Sequence, residues 1–166
     1  MKKHALLAAL ALASGSAFAA PSEGDIEVVF STAGGELALV DGETLFDVQA
    51  RIGYFMTRNH ELGGAARLGF NSAADPSESL DLGGFYRYNL IKSGTERDWW
   101  YGGVELDLWN VTSDDDQPMT LRPHLGQKYM LSDDVAFDWN IGYQMDLSDV
   151  ELEDVVNVQF GLSIFF

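Results

Sequence analysis

The side chains able to do chemistry in this chain are charges set an even number of residues apart. Asp47 and Arg51, Glu61 and Arg67, Asp81 and Arg87, Glu105 and Asp107, and Arg122 and Lys128 each share one run of apolar and small residues, and Glu27 and Asp138 sit in similar runs. Even offsets put such residues on one face of an extended chain. A face of this kind supports two chemistries. Guanidinium and ammonium groups taken out of water must be partnered, so they can lock with carboxylates into a fixed network. Alternatively, an excess of acid lines a path for cations. Catalysis is the third reading: His60 and His124 are present, with Ser113 and Ser148 only loosely placed in outer connections. A nucleophilic Ser needs an adjacent His, and His124 stands in mid-run. No G-x-S-x-G, H-E-x-x-H or Gly-rich phosphate loop occurs. No catalytic residue, cofactor or dedicated metal site is assigned.

The elements that must position this face are strands. Eight runs alternate in register with the charges: 25–32, 44–55, 60–72, 79–90, 98–111, 119–130, 135–146 and 155–166. Their starts fall 16 to 21 residues apart, wider than the roughly 8–12 of a soluble sandwich. Segments of roughly 10 residues match the roughly 9–11 that cross a bilayer at a steep tilt. Pro123 deletes a ladder donor in mid-strand, so a bulge or a register change is expected there. Tyr54 to Asn59 and Tyr129 to Asp134 echo one another, each a Tyr, two large apolar residues and a turn. They lie four strands apart and therefore belong to the same end of an up-and-down barrel.

The front of the chain reads as a secretory signal peptide: Lys2 and Lys3, an apolar run from Ala5 to Ala13, and an A-x-A site formed by Ala17 and Ala19. The domain proper is then 20–166. No Cys is present, which excludes a lipidated anchor and disulfides. Without Lys2 and Lys3 the chain carries 8 basic and 26 acidic residues, 8 − 26 = −18. Such a field repels nucleic acid and favours cationic partners.

The opposite, apolar face carries Tyr54, Tyr86, Tyr88, Trp100, Tyr129, Phe137, Trp139 and Phe166 toward one end, and Phe30, Phe46 and Phe70 toward the other. Two aromatic girdles around an aliphatic band place that face in lipid. The expected fold is all-β: an eight-stranded antiparallel up-and-down transmembrane β-barrel, its last stave 155–166 closing on 25–32 so that no edge remains. Its interior should be filled by Arg51, Arg67, Arg87, Arg122, Lys128, Asp47, Glu105, Asp107 and Asp138, because eight strands leave room for little but side chains.

The chain resembles the small eight-stranded outer-membrane barrels of Gram-negative bacteria, the OmpA- and OmpX-like superfamily. The most specific part of the resemblance is the terminal pattern of Gln159, Gly161, Ile164 and Phe166; an aromatic is commoner at the position of Ile164. The resemblance implies a cell outer-membrane location and recognition of that terminus by the barrel-assembly machinery. It leaves the function open among structural proteins, adhesion-related proteins, small channels and lipid A enzymes. Acidic residues Glu36, Asp41, Glu43, Asp75, Glu78, Asp114 to Asp116, Asp149, Glu151, Glu153 and Asp154 cluster in the outer connections. They are a solvated face, or share divalent cations with lipopolysaccharide phosphates. These connections are too short for a standard interface of about 800 Å² per partner. The expected protein is a monomeric, non-enzymatic barrel of the envelope, with a narrow channel as the alternative and a lipid A-modifying enzyme as the third reading.

Overall fold

The computed structural model describes residues 20–32, 39–40, 43–71, 77–92, 97–109, 111, 118–148 and 155–166, and of 39–40, 43–47, 70–71 and 77–78 the backbone only. Strands run β1 Ile26–Thr32, β2 Leu39–Val40, β3 Glu43–Thr57, β4 His60–Asn71, β5 Ser77–Asn89, β6 Asp98–Leu108, β7 Met119–Met130, β8 Val135–Asp146 and β9 Val155–Phe165. Every pairing is antiparallel, and the order β1-β9-β8-β7-β6-β5-β4-β3 closes through β1 with β3. This is the expected eight-stranded barrel. The ninth strand, β2, pairs only with the start of β3, Leu39 opposite Thr44 and Val40 opposite Glu43. Residues 39–40 thus add a short ladder beside the start of a long β3.

Closure is made by the two ends of the chain. Glu27 faces Phe165 and Ser31 faces Gly161, and Ile26 and Phe166 exchange both backbone hydrogen bonds, at 3.1 and 2.9 Å. Gly161 is what permits this approach. A Cβ there would lie 2.7 Å from the Phe30 carbonyl oxygen and 2.9 Å from the Ser31 Cβ.

Pro123 does not shift the register as expected. On the β6 side it pairs with Val104. On the β8 side the ladder runs Leu121 to Met145, then His124 to Gly142, in unchanged register with no pair at Arg122 or Pro123. The missing donor therefore costs two rungs and leaves alternation intact on both sides. The irregularity that does occur lies at the end of β3, between Phe55 and Thr57. There the Thr57 hydroxyl accepts from the Asn59 and His60 amides, at 3.3 and 3.2 Å, and closes the two-residue turn to β4.

Burial alternates in the sense opposite to that of a soluble protein. Leu62, Leu68, Leu82, Val104, Leu106, Leu125, Ile141, Val156, Phe160 and Leu162 point outward and are exposed, while Arg51, Arg87, Arg122 and Lys128 point inward and are wholly buried. A soluble monomer rarely exposes a contiguous apolar patch beyond roughly 300–600 Å², and here the apolar belt circles the barrel. Lipid is the solvent that suits it. Tyr54, Tyr88, Trp100, Tyr129 and Phe166 stand exposed at the end that holds the short turns and both barrel termini. The Trp100 and Trp139 rings meet edge to face at 5.7 Å, and the Arg97 guanidinium caps Tyr129 at 4.8 Å. Phe30 is exposed nearer the other end; the side chains of Phe46 and Phe70 lie outside the described residues.

Candidate functional site

Among the described residues polar chemistry gathers in the lumen. Arg51, Arg67, Arg87, Arg122 and Lys128 are all buried there, against Glu27, Glu61, Asp81, Glu105, Asp107 and Asp138. Among the described residues five cations therefore meet six carboxylates. The side chain of Asp47 lies outside the described residues, as do Ala17, Ala19 and most of the acidic residues of the outer connections. Each charge reaches the lumen by strand parity. Four pairs also face one another directly across a ladder: Glu61 with Arg87, Arg67 with Asp81, Glu105 with Arg122, and Lys128 with Asp138.

At the short-turn end the lumen begins with an apolar floor of Ala20, Phe55, Ile91, Trp99, Met130, Ala136 and Phe165. Phe165 packs its ring 6.3 Å from Phe55 and 6.1 Å from Trp99. The segment before β1 folds under this floor through a turn in which the Ser22 amide donates to the Asp25 carboxylate at 2.8 Å and Gly24 takes a φ of 97°. That left-handed conformation suits Gly alone without strain.

Above the floor lies a basal layer. The Lys128 ammonium donates to Glu27, to Asp138 at 2.8 Å and to the Ser163 hydroxyl at 3.0 Å. The Tyr101 hydroxyl donates to the other oxygen of Asp138 at 2.5 Å. Arg87 lies 3.6 Å from both Glu27 and Glu61, with its guanidinium over the rings of Phe85 at 4.6 Å and Tyr101 at 4.9 Å. Asn89 links the layer to the floor: its amide donates to Glu61 at 3.3 Å and its oxygen accepts from the Trp99 indole at 3.1 Å.

The central layer is built round Glu105. Arg122 donates to it at 2.9 Å, Gln49 at 2.5 Å, and Arg51 stands 3.5 Å away. Other guanidinium donors turn to amide oxygens. Arg122 reaches Asn157 at 2.8 Å and also Asn140, and Arg51 reaches Gln49 at 2.7 Å and also Gln159. Toward the other end Arg67 and Asp81 pair at 3.8 Å, and Arg67 lies 5.0 Å over the Trp109 ring.

Other candidates fall outside this gathering. His124 is buried beside Tyr101, ring to ring at 5.9 Å, and its Nδ1 lies 3.3 Å from the Arg122 carbonyl oxygen. The Ser148 hydroxyl donates to Asp146 at 2.6 Å, and Ser113 is outside the described residues. His60 faces outward between Tyr86, whose hydroxyl is 2.7 Å from its Nδ1, and Tyr88. The terminal residues divide by parity: Gln159 is buried in the central layer, Ile164 is half-buried on the outer face and Phe166 is exposed to lipid. Tyr101 and Trp99 were not evident as lumen residues from their types. The signal was their parity with Glu105 on the same strand.

No family model and no curated protein matches this chain in sequence. Solved structures do match in shape. The N-terminal β-barrel domain of OprF from Pseudomonas aeruginosa aligns over 88% of this chain and 100% of its own, with 17% identity and a TM-score of 0.59. The outer membrane protein Ail of Yersinia pestis, determined in a phospholipid bilayer nanodisc, aligns over 87% of this chain and 100% of its own, with 14% identity and a TM-score of 0.57. The outer membrane protein OprG of Pseudomonas aeruginosa aligns over 87% and 97%, with 12% identity and a TM-score of 0.51. The chain has the fold of the small outer-membrane β-barrels.

Proposed function

We propose that this protein is a monomeric outer-membrane barrel that serves envelope structure or surface interaction, with no enzymatic activity and with a lumen closed to solutes. The observation that carries the reading is the chain of ion pairs that spans the lumen between non-adjacent strands: Lys128 to Glu27, Arg87 to Glu27 and Arg51 to Glu105. Removing one partner from such a buried pair costs about 3–5 kcal/mol, so a solute that had to part these layers would face a comparable barrier. The floor of Phe55, Trp99, Met130 and Phe165 adds a dry constriction beneath them. Two of the similar structures are named as outer membrane proteins, which supports that location, together with the signal-like start. Lipid and lipopolysaccharide are the proposed surroundings, with divalent cations bridging to acidic outer connections, and the assembly machinery is the proposed partner for the terminus.

The location is tested by membrane fractionation with and without boiling before electrophoresis. A heat-modifiable band in the outer membrane is expected, and an unshifted band in the soluble periplasm overturns the reading. The closed lumen is tested by planar-bilayer recording of purified protein. Long-lived open steps would favour the channel reading, for which the buried polar atoms without a hydrogen-bond partner among the described residues, Arg87 Nε and Gln159 Nε2 included, are the supporting observation.

A further inference from the structure

We propose that the carboxyl groups of Glu27 and Glu61 hold a single proton between them, making the basal layer a proton-binding site inside the barrel. The two side chains come from β1 and β4, on either side of β3. Gly53 of β3 stands directly opposite Glu27, and the Glu61 Oε1 occupies the space where a side chain at Gly53 would begin, 2.0 Å from that ideal Cβ position. The absent side chain thus lets the two carboxyls approach, and one oxygen of each lies 3.6 Å from the same Arg87 nitrogen. Both are wholly buried.

Their outer oxygens are engaged. Glu27 Oε1 accepts from Lys128 and Glu61 Oε2 from Asn89. Their facing oxygens, Glu27 Oε2 and Glu61 Oε1, have no donor. Arg87 stands 3.6 Å from each of these two, too far to serve either well. Two ionised carboxylates are acceptors only, so neither can satisfy the other. One proton between them makes one a donor and completes both.

Charge counting leads to the same place. The groups facing the pair are Arg87 from β5, Tyr101 from β6, Lys128 from β7 and Asp138 from β8, with the neutral Ser163 from β9. Three carboxylates then meet two cations. Asp138 is taken by Lys128 and Tyr101, and Arg51 of the central layer is held by Glu105, Gln49 and Gln159. The uncompensated negative charge falls on Glu27 and Glu61, above an apolar floor. Like charges this close in a buried site do not both ionise. The inference rests on the burial of the layer and not on what the barrel does for the cell.

The test is unfolding of the purified barrel in neutral lipid vesicles across a pH series, for wild type, Glu61→Gln and Glu27→Gln. An unfolded chain loses such a proton in the ordinary carboxylate range, so wild type should lose stability as pH rises from that range until the folded barrel also releases the proton, and level off above. The unfolding constant should change by up to about tenfold per pH unit within that window. Glu61→Gln carries a permanent donor to Glu27, so its profile should be flat there and at least as stable as wild type at the alkaline end. Glu27→Gln also loses its ion pair with Lys128 and should be weakened at every pH. A Glu61→Gln barrel less stable than wild type throughout, or as pH-sensitive, overturns the proposal. Should either variant fail to fold, infrared spectra of wild type decide: a buried carboxylic acid band at neutral pH supports the shared proton, and its absence overturns it. A shift of the pH step on replacing choline by sodium would assign the site to a metal cation and also overturn it.

Discussion

The basal and central layers of the lumen hold the same kinds of group in opposite proportion. The basal layer gathers three carboxylates, Glu27, Glu61 and Asp138, around two cations. In the central layer two guanidiniums share one ion-paired carboxylate, Glu105, while Asp107 is buried two residues along the same strand outside those ion pairs. The surplus in each is handled differently. In the centre, carboxamides of Gln49, Gln159, Asn140 and Asn157 take up guanidinium donors, which works because an amide oxygen accepts without adding charge. In the base, aromatic faces of Phe85 and Tyr101 cover Arg87, and those faces accept nothing from a carboxylate. Surplus cation can be dispersed over neutral acceptors, whereas surplus anion needs a donor. That asymmetry is why the base, and not the centre, is the place for a bound proton.

The largest expected effect comes from removing the centre's single carboxylate. Glu105→Ala leaves Arg51 and Arg122 buried without their counter-charge, and the barrel should lose about 3–5 kcal/mol in urea unfolding from vesicles. In the base, Glu61→Gln should cost nothing at alkaline pH, and a loss there equal to that of Glu105→Ala would dissolve the distinction. Next is Phe165→Ala, which opens a cavity in the floor between Phe55 and Trp99 and should cost about 3 kcal/mol. Tryptophan emission should shift red as Trp99 meets water; an unshifted spectrum would place Trp99 elsewhere. A smaller loss, about 1–3 kcal/mol, is expected for Gly63→Ala, whose Cβ would fall 2.1 Å from the Ile52 carbonyl oxygen and 2.5 Å from the Phe85 ring. Because Phe85 lies under Arg87, this change should perturb the base and spare the centre, which chemical shifts of the Gln49 and Gln159 side-chain amides would report. Last, deleting Phe166, exposed to lipid beside the buried Phe165, should leave the unfolding midpoint of barrel that does fold unchanged and lower only the amount assembled in cells, read by quantitative blotting of outer-membrane fractions.

Alternation alone was enough to place most of the lumen. The parity that sends Leu106 outward sends Glu105 and Asp107 inward, and the same count carried through all eight long runs because no bulge interrupts the lumen-lining stretches. Even Pro123 left parity untouched, since it removed rungs and not residues. What parity could not reveal was partnership. Glu61 with Arg87 follows from one hairpin, but Lys128 with Glu27 joins β7 to β1, 101 residues apart, and nothing local connects them. Tyr101 shows the limit most clearly: nothing in its type singled it out, yet its position made it the hydroxyl that holds Asp138. Gly161 is a second case. Its place in the terminal pattern suggested only recognition during assembly, while the structure gives it a local duty in letting β1 approach β9.

By itself the sequence determined which residues face lipid and which face the lumen, because a strand has a period of two and lipid tolerates no charge on its side. It also determined that the chain must close, since a last strand with an apolar face and an open edge has no stable place in a membrane. The tertiary structure alone decided which charges meet. Closure sets the height of each strand against its neighbours, and that stagger stacks the inward residues into a floor, a basal layer with one carboxylate too many and a central layer with one cation too many. A shift of two residues in any one ladder would keep every side chain on its proper face and pair different charges. Which arrangement forms depends on contacts between strands far apart in the chain, so it could not be read along any one of them.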